Sequence, residues 1–450
     1  MGKPAIEPRI LKGFRDYLPQ TTIARSEMID RIKTVFQSFG FVPIDTPALE
    51  YADILLGKGS AETDKQLYRF LDNGQRDVAL RFDLTVPLAR FAAMHIGELG
   101  TPFKRYHIAP VWRAEKPQRG RFREFIQCDF DIIGTKSVLA DAEIILVIHQ
   151  TFRELGVNHR IRLNNRRVLN GFLESLGALD KSCAVLRAID KLEKLGQDVV
   201  STELKSEAHF SPEQTARVFD FLNLSQSASG GVPFFTELRK LLESSRLGLE
   251  GITQLERILS ILAESGVEPG SCIIDLSIAR GLDYYTGSVF ETTLIDLPEI
   301  GSVCSGGRYD NLASLYTSQE LPGVGASVGL DRLLAGLEEL GRIPARSSTA
   351  EILVAIADPE TAPQAIALAQ RLRGHGLHVE TYAQEAKLGA QLKYADRKNI
   401  RCIVIAGKED LACGRYSIKD MRTGEQVDSV AFDSLVEMLR QHLADRNERD

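Results

Sequence analysis

The stretch that decides the fold is Trp112–Gly134, which reads WRAEKPQRGRFREFIQCDFDIIG. On a β-strand, alternate side chains share a face. From Arg121 onward the even-numbered positions are mostly apolar, whereas the odd-numbered ones carry two guanidiniums, an aromatic ring, an amide and two carboxylates. The alternation predicts a strand with one face in a core and one polar face. A solvated strand face gives the same pattern, so a site and an ordinary surface both remain open at this point.

The first half of that stretch is strongly basic. Residues 113–123 hold five Lys or Arg side chains and a single acidic one, Glu115, a local net charge of +4. Arginine grips two phosphate oxygens at once through its planar fork, so such a loop suits nucleotide phosphates or an RNA backbone. The whole chain has a net charge of −6 over 450 residues. Global charge alone therefore gives no support to a nucleic-acid-binding surface.

Two neighbouring segments predict further strands with polar ends. In residues 80–85 the odd-numbered face holds Arg81, Asp83 and Thr85, and Pro87 is expected to stop the strand. Residues 106–113 predict a strand that ends at Arg113. We therefore expect the region from about 65 to 135 to be predominantly antiparallel sheet joined by turns.

The rest of the chain divides by its hydropathy pattern. Residues 20–40 and 165–265 predict helices, strand signals return at Cys272–Asp275 and Ser288–Leu294, and a helix is expected from about Leu330. After about residue 350, strands alternate with helices, which is typical of a small α/β domain. We predict one α+β sheet domain from residues 1–165 and 266–343, a helical insertion at 166–265, and an α/β domain at 350–450.

Composition excludes several classes of protein. The six cysteines are scattered without a CxxC pair, which indicates reduced cytosolic thiols rather than a disulfide framework or a zinc site. The start of the chain lacks the apolar run of a signal peptide. No apolar stretch approaches the roughly 20 residues of a membrane span. A cytoplasmic protein that is not bound to a membrane and holds no metal ion is expected.

Two segments resemble the shared motifs of class II aminoacyl-tRNA synthetases. The opening stretch resembles their motif 2, with Arg113 and Glu115 in its Arg-x-Glu, and GASVGLDRLL (Gly325–Leu334) resembles their motif 3, with Arg332. These two motifs alone leave several amino-acid substrates open.

Further segments narrow the resemblance to one family. ARGLDYYTG (Ala279–Gly287) and CSGGRYDNL (Cys304–Leu312) look like the two signature motifs of histidyl-tRNA synthetases. KGFRDYLP (Lys12–Pro19) and RFDLTVPLAR (Arg81–Arg90) fit the same family. The resemblance extends over essentially the whole chain in the expected order. It implies a class II antiparallel-sheet catalytic domain with a helical insertion, followed by a C-terminal α/β anticodon-binding domain.

The resemblance also implies an activity and its partners. The expected enzyme is a homodimeric, ATP-dependent histidine–tRNA ligase, which forms histidyl-adenylate and pyrophosphate and then transfers histidine to the 3′-terminal adenosine of tRNA-His. Mg²⁺ is expected only with ATP, and no prosthetic group is expected. One rival is the histidyl-synthetase-like regulatory subunit of ATP phosphoribosyltransferase, which has no ligase activity. A class II enzyme for another amino acid is the second rival.

The site residues follow from matching motif positions. The resemblance implies a histidine site made of Asp83, Leu84, Thr85, Arg113, Gln127, Asp131, Arg280, Tyr284, Tyr285 and Tyr309. It implies an ATP site made of Arg113, Glu115, Arg121, Phe125 and Arg332, with Arg113 and Arg280 as the catalytic residues. Neutral imidazole offers one donor and one acceptor, so a selective pocket needs a partner for each, and the family supplies them from the positions of Asp131 and Tyr285.

Overall fold

The computed structural model describes residues 6–56, 64–227, 231–278, 284–343 and 346–444. The chain divides into two compact units, one reaching Arg342 and one beginning at Ile343, with residues 17–27 grouped with the second. Within the described ranges, no helix combines the length and the apolar character that a bilayer crossing needs.

Most strands of the first unit belong to one large sheet. In chain order the described strands are β1 (Val42–Pro43), β2 (Leu49–Tyr51), β3 (Arg69–Leu71), β4 (Asp77–Leu80), β5 (Phe103–Trp112), β6 (Glu124–Ile133), β7 (His159–Asn165), β8 (Cys272–Ile274), β9 (Ser288–Leu294), β10 (Ser302–Tyr309) and β11 (Gly323–Gly329). Eight of them form a sheet in the order β1-β5-β6-β11-β10-β9-β7-β8, and β2-β4-β3 form a small antiparallel sheet. The six central strands of the large sheet pair antiparallel, whereas β1 and β8 pair parallel at its edges. The predicted α+β class with an antiparallel catalytic sheet is confirmed.

Helices cover the large sheet and continue between β7 and β8. The described helices before β7 and after β11 are Pro19–Ser38, Ala52–Leu55, Thr85–Leu99, Val138–Glu154 and Leu330–Glu339. Val138–Glu154 begins after Ser137, whose hydroxyl accepts from the Leu139 amide, and it buries Ile144, Ile148 and Phe152. Burial of this apolar face fixes the helix to the core.

The segment between β7 and β8 is helical, as predicted from its leucine spacing. Its described helices are Arg166–Ser175, Ser182–Ile189, Leu192–Ser206, Pro212–Ser227, Val232–Leu241 and Arg246–Glu264. The first and last pack closely, because a Cβ on Gly171 would lie only 2.5 Å from the Cα of Gly248. The division of the chain into three domains at residues 166, 265 and 350 stays a prediction.

One predicted strand is wrong. The strand expected through Thr85 ends at Leu80, and Thr85 instead begins the helix Thr85–Leu99. The physical reason is local: the Asp83 carboxylate accepts a hydrogen bond from the Val86 amide at 3.1 Å, which satisfies a donor at the helix start. Pro87 lies in the first helical turn, where its missing N–H costs no hydrogen bond. Arg121 and its neighbours to residue 123 also precede β6 rather than lie on it.

The second unit has its own sheet and core. Its described strands are β12 (Ile352–Ile356), β13 (Val379–Thr381), β14 (Cys402–Ala406), β15 (Arg415–Asp420) and β16 (Gln426–Ala431), in the sheet order β13-β12-β14-β15-β16. Its described helices are Ala362–Gly374, Leu388–Arg397, Lys408–Ala412 and Phe432–Ala444. The first three strands of that order pair parallel and the last three antiparallel. The predicted α/β alternation is confirmed, and the short helix Lys408–Ala412 was not predicted.

Candidate active site

The first unit contains a cavity of about 350 Å³ lined by β6, β9, β10 and β11. It brings together twelve of the residues expected from the sequence: Asp83, Thr85, Arg113, Glu115, Arg121, Phe125, Gln127, Asp131, Tyr284, Tyr285, Tyr309 and Arg332. Leu84 is fully buried in a core cluster with Ala109 and Val111. Arg280 lies outside the described residues.

Glycines of β11 make room for the side chains at one end of the cavity. Gly325 lies opposite Asp131 in the antiparallel pair of β11 with β6. A Cβ on Gly325 would lie 1.9 Å from the Asp131 Oδ1, and one on Gly323 would lie 2.3 Å from the ring of Tyr309. Only glycine leaves space for both groups at these two positions.

Aromatic rings and a carboxylate form the wall at this end. The Tyr309 hydroxyl donates to Asp131 Oδ1 at 2.5 Å. The rings of Tyr284 and Tyr285 meet edge to face with centroids 5.0 Å apart, and Tyr284 meets Tyr309 at 6.0 Å. The wall therefore combines apolar ring surface with one acceptor group fixed by a hydroxyl.

Apart from Asp131 Oδ2, which lies in an ion pair with Arg105, two buried acceptor atoms on this wall lack hydrogen-bond partners within the described part of the chain. Asp83 uses Oδ1 to bind the Val86 amide, while its Oδ2 is buried without a donor. Gln127 donates from Nε2 to Ser327 Oγ at 2.8 Å, while its Oε1 is also buried without a donor. Buried acceptors are normally satisfied, so both atoms suit a ligand that brings N–H groups.

Burial governs the charge of the acidic end. It raises the pKa of Asp83 to about 6, against the opposing effect of the hydrogen bond from Val86. It raises the pKa of Asp129 to about 7, and it also raises the pKa of Asp131. Nearby Arg105 favours the ionised form of all three carboxyls. A bound ammonium group would act in the same direction.

Two residues at this end were not assigned from the sequence. Arg105 is fully buried on β5, directly opposite Asp131 in the pair with β6, and its Nη2 lies 2.6 Å from Asp131 Oδ2. Asp129 lies on the same face of β6 and is also buried. An arginine that shares one face of a strand with Phe103, Ala109 and Val111 was the signal that could have found Arg105.

The other end of the cavity is lined by the basic loop. Arg113 donates from Nε to the Phe82 carbonyl at 2.9 Å, and its guanidinium lies 5.2 Å from the centre of the Phe125 ring. The loop closes on itself through two backbone hydrogen bonds between Gln118 and Arg121, at 2.9 and 3.1 Å. A fixed guanidinium beside an aromatic face suits a phosphate and a nucleobase.

The start of the helix Leu330–Glu339 closes this end. Arg332 donates from Nη1 to the Ser302 carbonyl at 2.5 Å. Its neighbour Asp331 accepts a hydrogen bond from the Ile126 amide at 2.7 Å. The two bonds hold the helix start against β10 and β6, and a Cβ on Gly120 of the basic loop would lie 3.5 Å from the Arg332 Cα, so the segment matching motif 3 lies beside that loop.

Comparison with known protein families agrees with this arrangement of motif residues around the cavity. A histidyl-tRNA synthetase family model matches residues 13–333, and an anticodon-binding-domain model matches residues 351–442. The chain belongs to the histidyl-tRNA synthetase family. Its relatives include a histidine–tRNA ligase of Rhodopirellula baltica, 52% identical over 97% of this chain and 99% of that protein. Another from Clostridium tetani is 44% identical over 98% of this chain and all of its own length.

Solved structures of histidyl-tRNA synthetases share the fold. The crystal structure of the Nostoc sp. PCC 7120 enzyme has a TM-score of 0.87 and 36% identity, and the match covers 97% of this chain and all of that one. A Bacillus halodurans structure described as an ATP phosphoribosyltransferase regulatory subunit/histidyl-tRNA synthetase has a TM-score of 0.73 and 24% identity over 87% of this chain and 97% of that one. This second likeness is one of fold alone.

Proposed function

We propose that this protein is a histidine–tRNA ligase. A carboxylate oxygen of L-histidine attacks the α-phosphorus of ATP in line, and pyrophosphate leaves with histidyl-adenylate formed. The histidyl group then passes to the 3′-terminal adenosine of tRNA-His, and AMP leaves. The observation that carries the proposal is a single cavity lined by residues of motif 2, motif 3 and both histidyl signature motifs.

The acidic end of the cavity suits the amino acid. Asp83 and Gln127 offer buried acceptors for the α-ammonium group of histidine, and Thr85 lies beside them on the cavity wall. Asp131 and Tyr285 would serve the two ring nitrogens, with Tyr284 and Tyr309 packed around the imidazole. A pocket of such hydrogen bonds rejects analogues that lack them by roughly 10⁴–10⁵-fold, because its own polar groups would stay unpaired.

The basic end suits ATP. Arg113 would contact both the histidine carboxylate and the α-phosphate, and so hold the two reacting groups together. Arg121 and Glu115 would contact the outer phosphates and the nucleotide, Phe125 would stack on adenine, and Arg332 would contact the nucleotide from the opposite side. Positioning and charge neutralisation account for most of the rate of such a phosphoryl-group reaction. Mg²⁺ would enter as part of the MgATP substrate, where its charge would offset that of the phosphates.

Arg280 would add a second cation at the α-phosphate. It falls in ARGLDYYTG, four positions before Tyr284, the first residue of the aromatic pair that lines the cavity. As motif residues, Leu84 and Arg280 remain proposed members of the histidine site. Leu84 belongs to the buried apolar cluster against which Phe125 packs, so it would help to hold the Phe125 ring in place.

The remaining parts of the chain have proposed roles in assembly and tRNA binding. Residues 1–165 with 266–343 form the proposed catalytic domain, 166–265 a helical insertion, and 350–450 the anticodon-binding domain. A homodimer is supported by exposed apolar side chains on the outer strands of the three-stranded sheet, at Leu49, Tyr51, Phe70 and Leu71. The proposed compartment is the cytoplasm, where six free thiols are stable.

The test is charging of tRNA by the full-length protein. Purified protein, MgATP, total tRNA and labelled histidine should give labelled aminoacyl-tRNA, and the other standard amino acids offered singly should give none. Absence of charging with histidine, together with stimulation of an ATP phosphoribosyltransferase, would contradict the proposal and favour the regulatory subunit. Charging with a different amino acid would favour another class II enzyme.

A further inference from the structure

Arg105, the most deeply buried cation among the described residues of the first unit, has no role in the ligase reaction as described so far. Arg105 is fully buried on β5, and only its Nη2 approaches acceptors, at 2.6 Å from Asp131 Oδ2 and 3.5 Å from the Leu84 carbonyl. Its Nε and Nη1 are buried without hydrogen-bond partners among the described residues. A buried charge is costly unless it is paired, so the contact with Asp131 is the interaction that retains this arginine.

Several acidic and phenolic groups face Asp131 from the surrounding elements. Asp129 lies two residues away on β6, Asp83 on the loop after β4, Tyr309 on β10, and Tyr285 on the segment before β9. Arg105 is the cation that interacts electrostatically with all three carboxyls. Arg113 also acts on Asp83, and Arg81 interacts with Asp129, but for Asp131 Arg105 is the one cation that acts on the carboxyl within the described part of the chain.

The ionisation of Asp131 decides what the pocket can bind. An ionised carboxylate only accepts hydrogen bonds, whereas a protonated one also donates. One Asp131 oxygen accepts from the Tyr309 hydroxyl, and the other lies against Arg105. Both oxygens are therefore fixed in position, and each has a second lone pair with which to accept from a ring N–H.

We infer that Arg105 is a positioning residue that keeps Asp131 ionised and oriented, so that the pocket selects a side chain with a ring N–H donor. The inference rests on the proposed histidine–tRNA ligase function. It adds a residue that touches no substrate and acts through Asp131.

The test is histidine-dependent ATP–pyrophosphate exchange by the variants Arg105→Met and Arg105→Lys. Arg105→Met keeps a long side chain without the charge, so kcat/KM for histidine should fall by at least about 100-fold at neutral pH. The loss relative to wild type should shrink as pH rises, because Asp131 then ionises without the cation. KM for ATP should stay unchanged. Arg105→Lys keeps the charge and should recover most of the loss with a pH profile like that of wild type.

A buried arginine that forms no ion pair with Asp131 among the described residues provides the matched control. Arg81 is also buried, and it donates to the carbonyls of Thr46 and Pro110 rather than to a cavity carboxylate. Arg81→Met should lower thermal stability but leave the pH profile of kcat/KM for histidine unchanged. If Arg105→Met does not fold, Arg105→Lys alone tests the inference. A shift in the pH profile of kcat/KM for histidine in Arg105→Lys as large as that expected for complete loss of the charge would overturn it.

A double-mutant cycle tests whether Arg105 acts through Asp131. In an Asp131→Asn background, adding Arg105→Met should change kcat/KM for histidine by less than about threefold. If the losses in kcat/KM of the two single variants multiply in the double variant, the proposed role of Arg105 is overturned. An Arg105→Met enzyme with the wild-type KM for histidine and the wild-type pH profile would also overturn it. Wild-type protein without histidine-dependent exchange would instead refute the proposed function, so the two failures are distinguishable.

Discussion

The two halves of Trp112–Gly134 form opposite ends of one cavity and work by opposite electrostatics. Residues 113–123 form a partly exposed loop of net charge +4, with Arg113 and Arg121 on the cavity wall. From Gln127 onward the segment is buried, and its charged side chains are the carboxyls of Asp129 and Asp131. The loop offers permanent positive charge to phosphates, whereas the strand holds carboxyls whose ionisation depends on burial and on Arg105.

This difference separates two tasks of the proposed reaction. Guanidiniums stay charged at any ordinary pH, so the basic end can neutralise phosphate without being tuned. The carboxyls are tuned by desolvation and by one buried cation, which makes the acidic end selective and sensitive to small displacements. Changes at the acidic end should therefore alter histidine recognition, and changes at the basic end should alter the rate of activation.

The largest expected effect is on selectivity at the acidic end. Asp131→Ala removes the acceptor for the ring N–H, so the preference for histidine over thienylalanine, a five-membered-ring analogue without N–H, should fall by up to about 10⁴-fold. The measurement is kcat/KM for each substrate in ATP–pyrophosphate exchange. Asp83→Ala is the matched control, because both substrates carry an α-ammonium group and should weaken together. An unchanged preference in Asp131→Ala would contradict the assignment.

At the basic end, Arg113→Ala should lower kcat for exchange by about 10³-fold, or ~4 kcal/mol, and should also raise KM for histidine. The reason is that Arg113 would contact the histidine carboxylate in the bound state and neutralise further charge that develops at the α-phosphate in the transition state. Arg119 is the control within the same loop: it is exposed and ion-paired with Glu339. Arg119→Ala should retain near-wild-type kcat. Equal losses for the two variants would show that loop charge in general, rather than Arg113, is responsible.

An added methyl group at Gly325, on the wall of the cavity, should have an intermediate effect on histidine binding. Gly325→Ala places a Cβ within 1.9 Å of Asp131 Oδ1, so the carboxylate must move and KM for histidine should rise by about 100-fold. KM for ATP should change much less. Gly97→Ala is the control, since Gly97 lies in the helix Thr85–Leu99 with open space around its Cα. A wild-type KM for histidine in Gly325→Ala would mean that Asp131 does not contact the substrate.

The smallest expected effect concerns pH-dependent stability. Burial raises the pKa of Asp129 to about 7, so between about pH 4 and about pH 7 the folded protein holds a proton that the unfolded chain has released, and stability falls as pH rises. Asp129→Asn removes this loss and should increase the free energy of unfolding by ~2 kcal/mol more at about pH 8 than at about pH 5. Urea unfolding followed by fluorescence of Trp112, the single tryptophan, measures it. A difference of the opposite sign would place an ionised Asp129 in the folded state.

Local pattern was enough to predict much of the fold. The strand Ser288–Leu294 has the bounds expected from hydropathy, and the last helix of the first unit begins at Leu330 as expected, because each has a clear periodicity and a Gly or turn residue at its border. The helix Thr85–Leu99 was missed because Arg81, Asp83 and Thr85 alternate as on a strand. The hydrogen bond from the Val86 amide to the Asp83 carboxylate, which favours a helix start at this place, leaves no trace in the hydropathy period.

The site residues that belong to sequence motifs could be predicted. The residues that belong to the site because of the pairing register between strands could not. The twelve cavity-lining residues come from motif positions along the chain. Arg105 carries no motif, and its importance depends on the register that places it opposite Asp131 across β5 and β6. Likewise, the need for glycine at position 325 comes from the Asp131 carboxylate beside it on the neighbouring strand. Long-range pairing of this kind cannot be read from one strand alone.

The most direct test of the division between the two ends is ATP–pyrophosphate exchange by wild-type protein with each standard amino acid offered singly. We predict exchange with histidine and none above background with the others, because the acidic end admits the substrate before the basic end can activate it. Exchange with several amino acids at similar rates, or with none, would contradict this account.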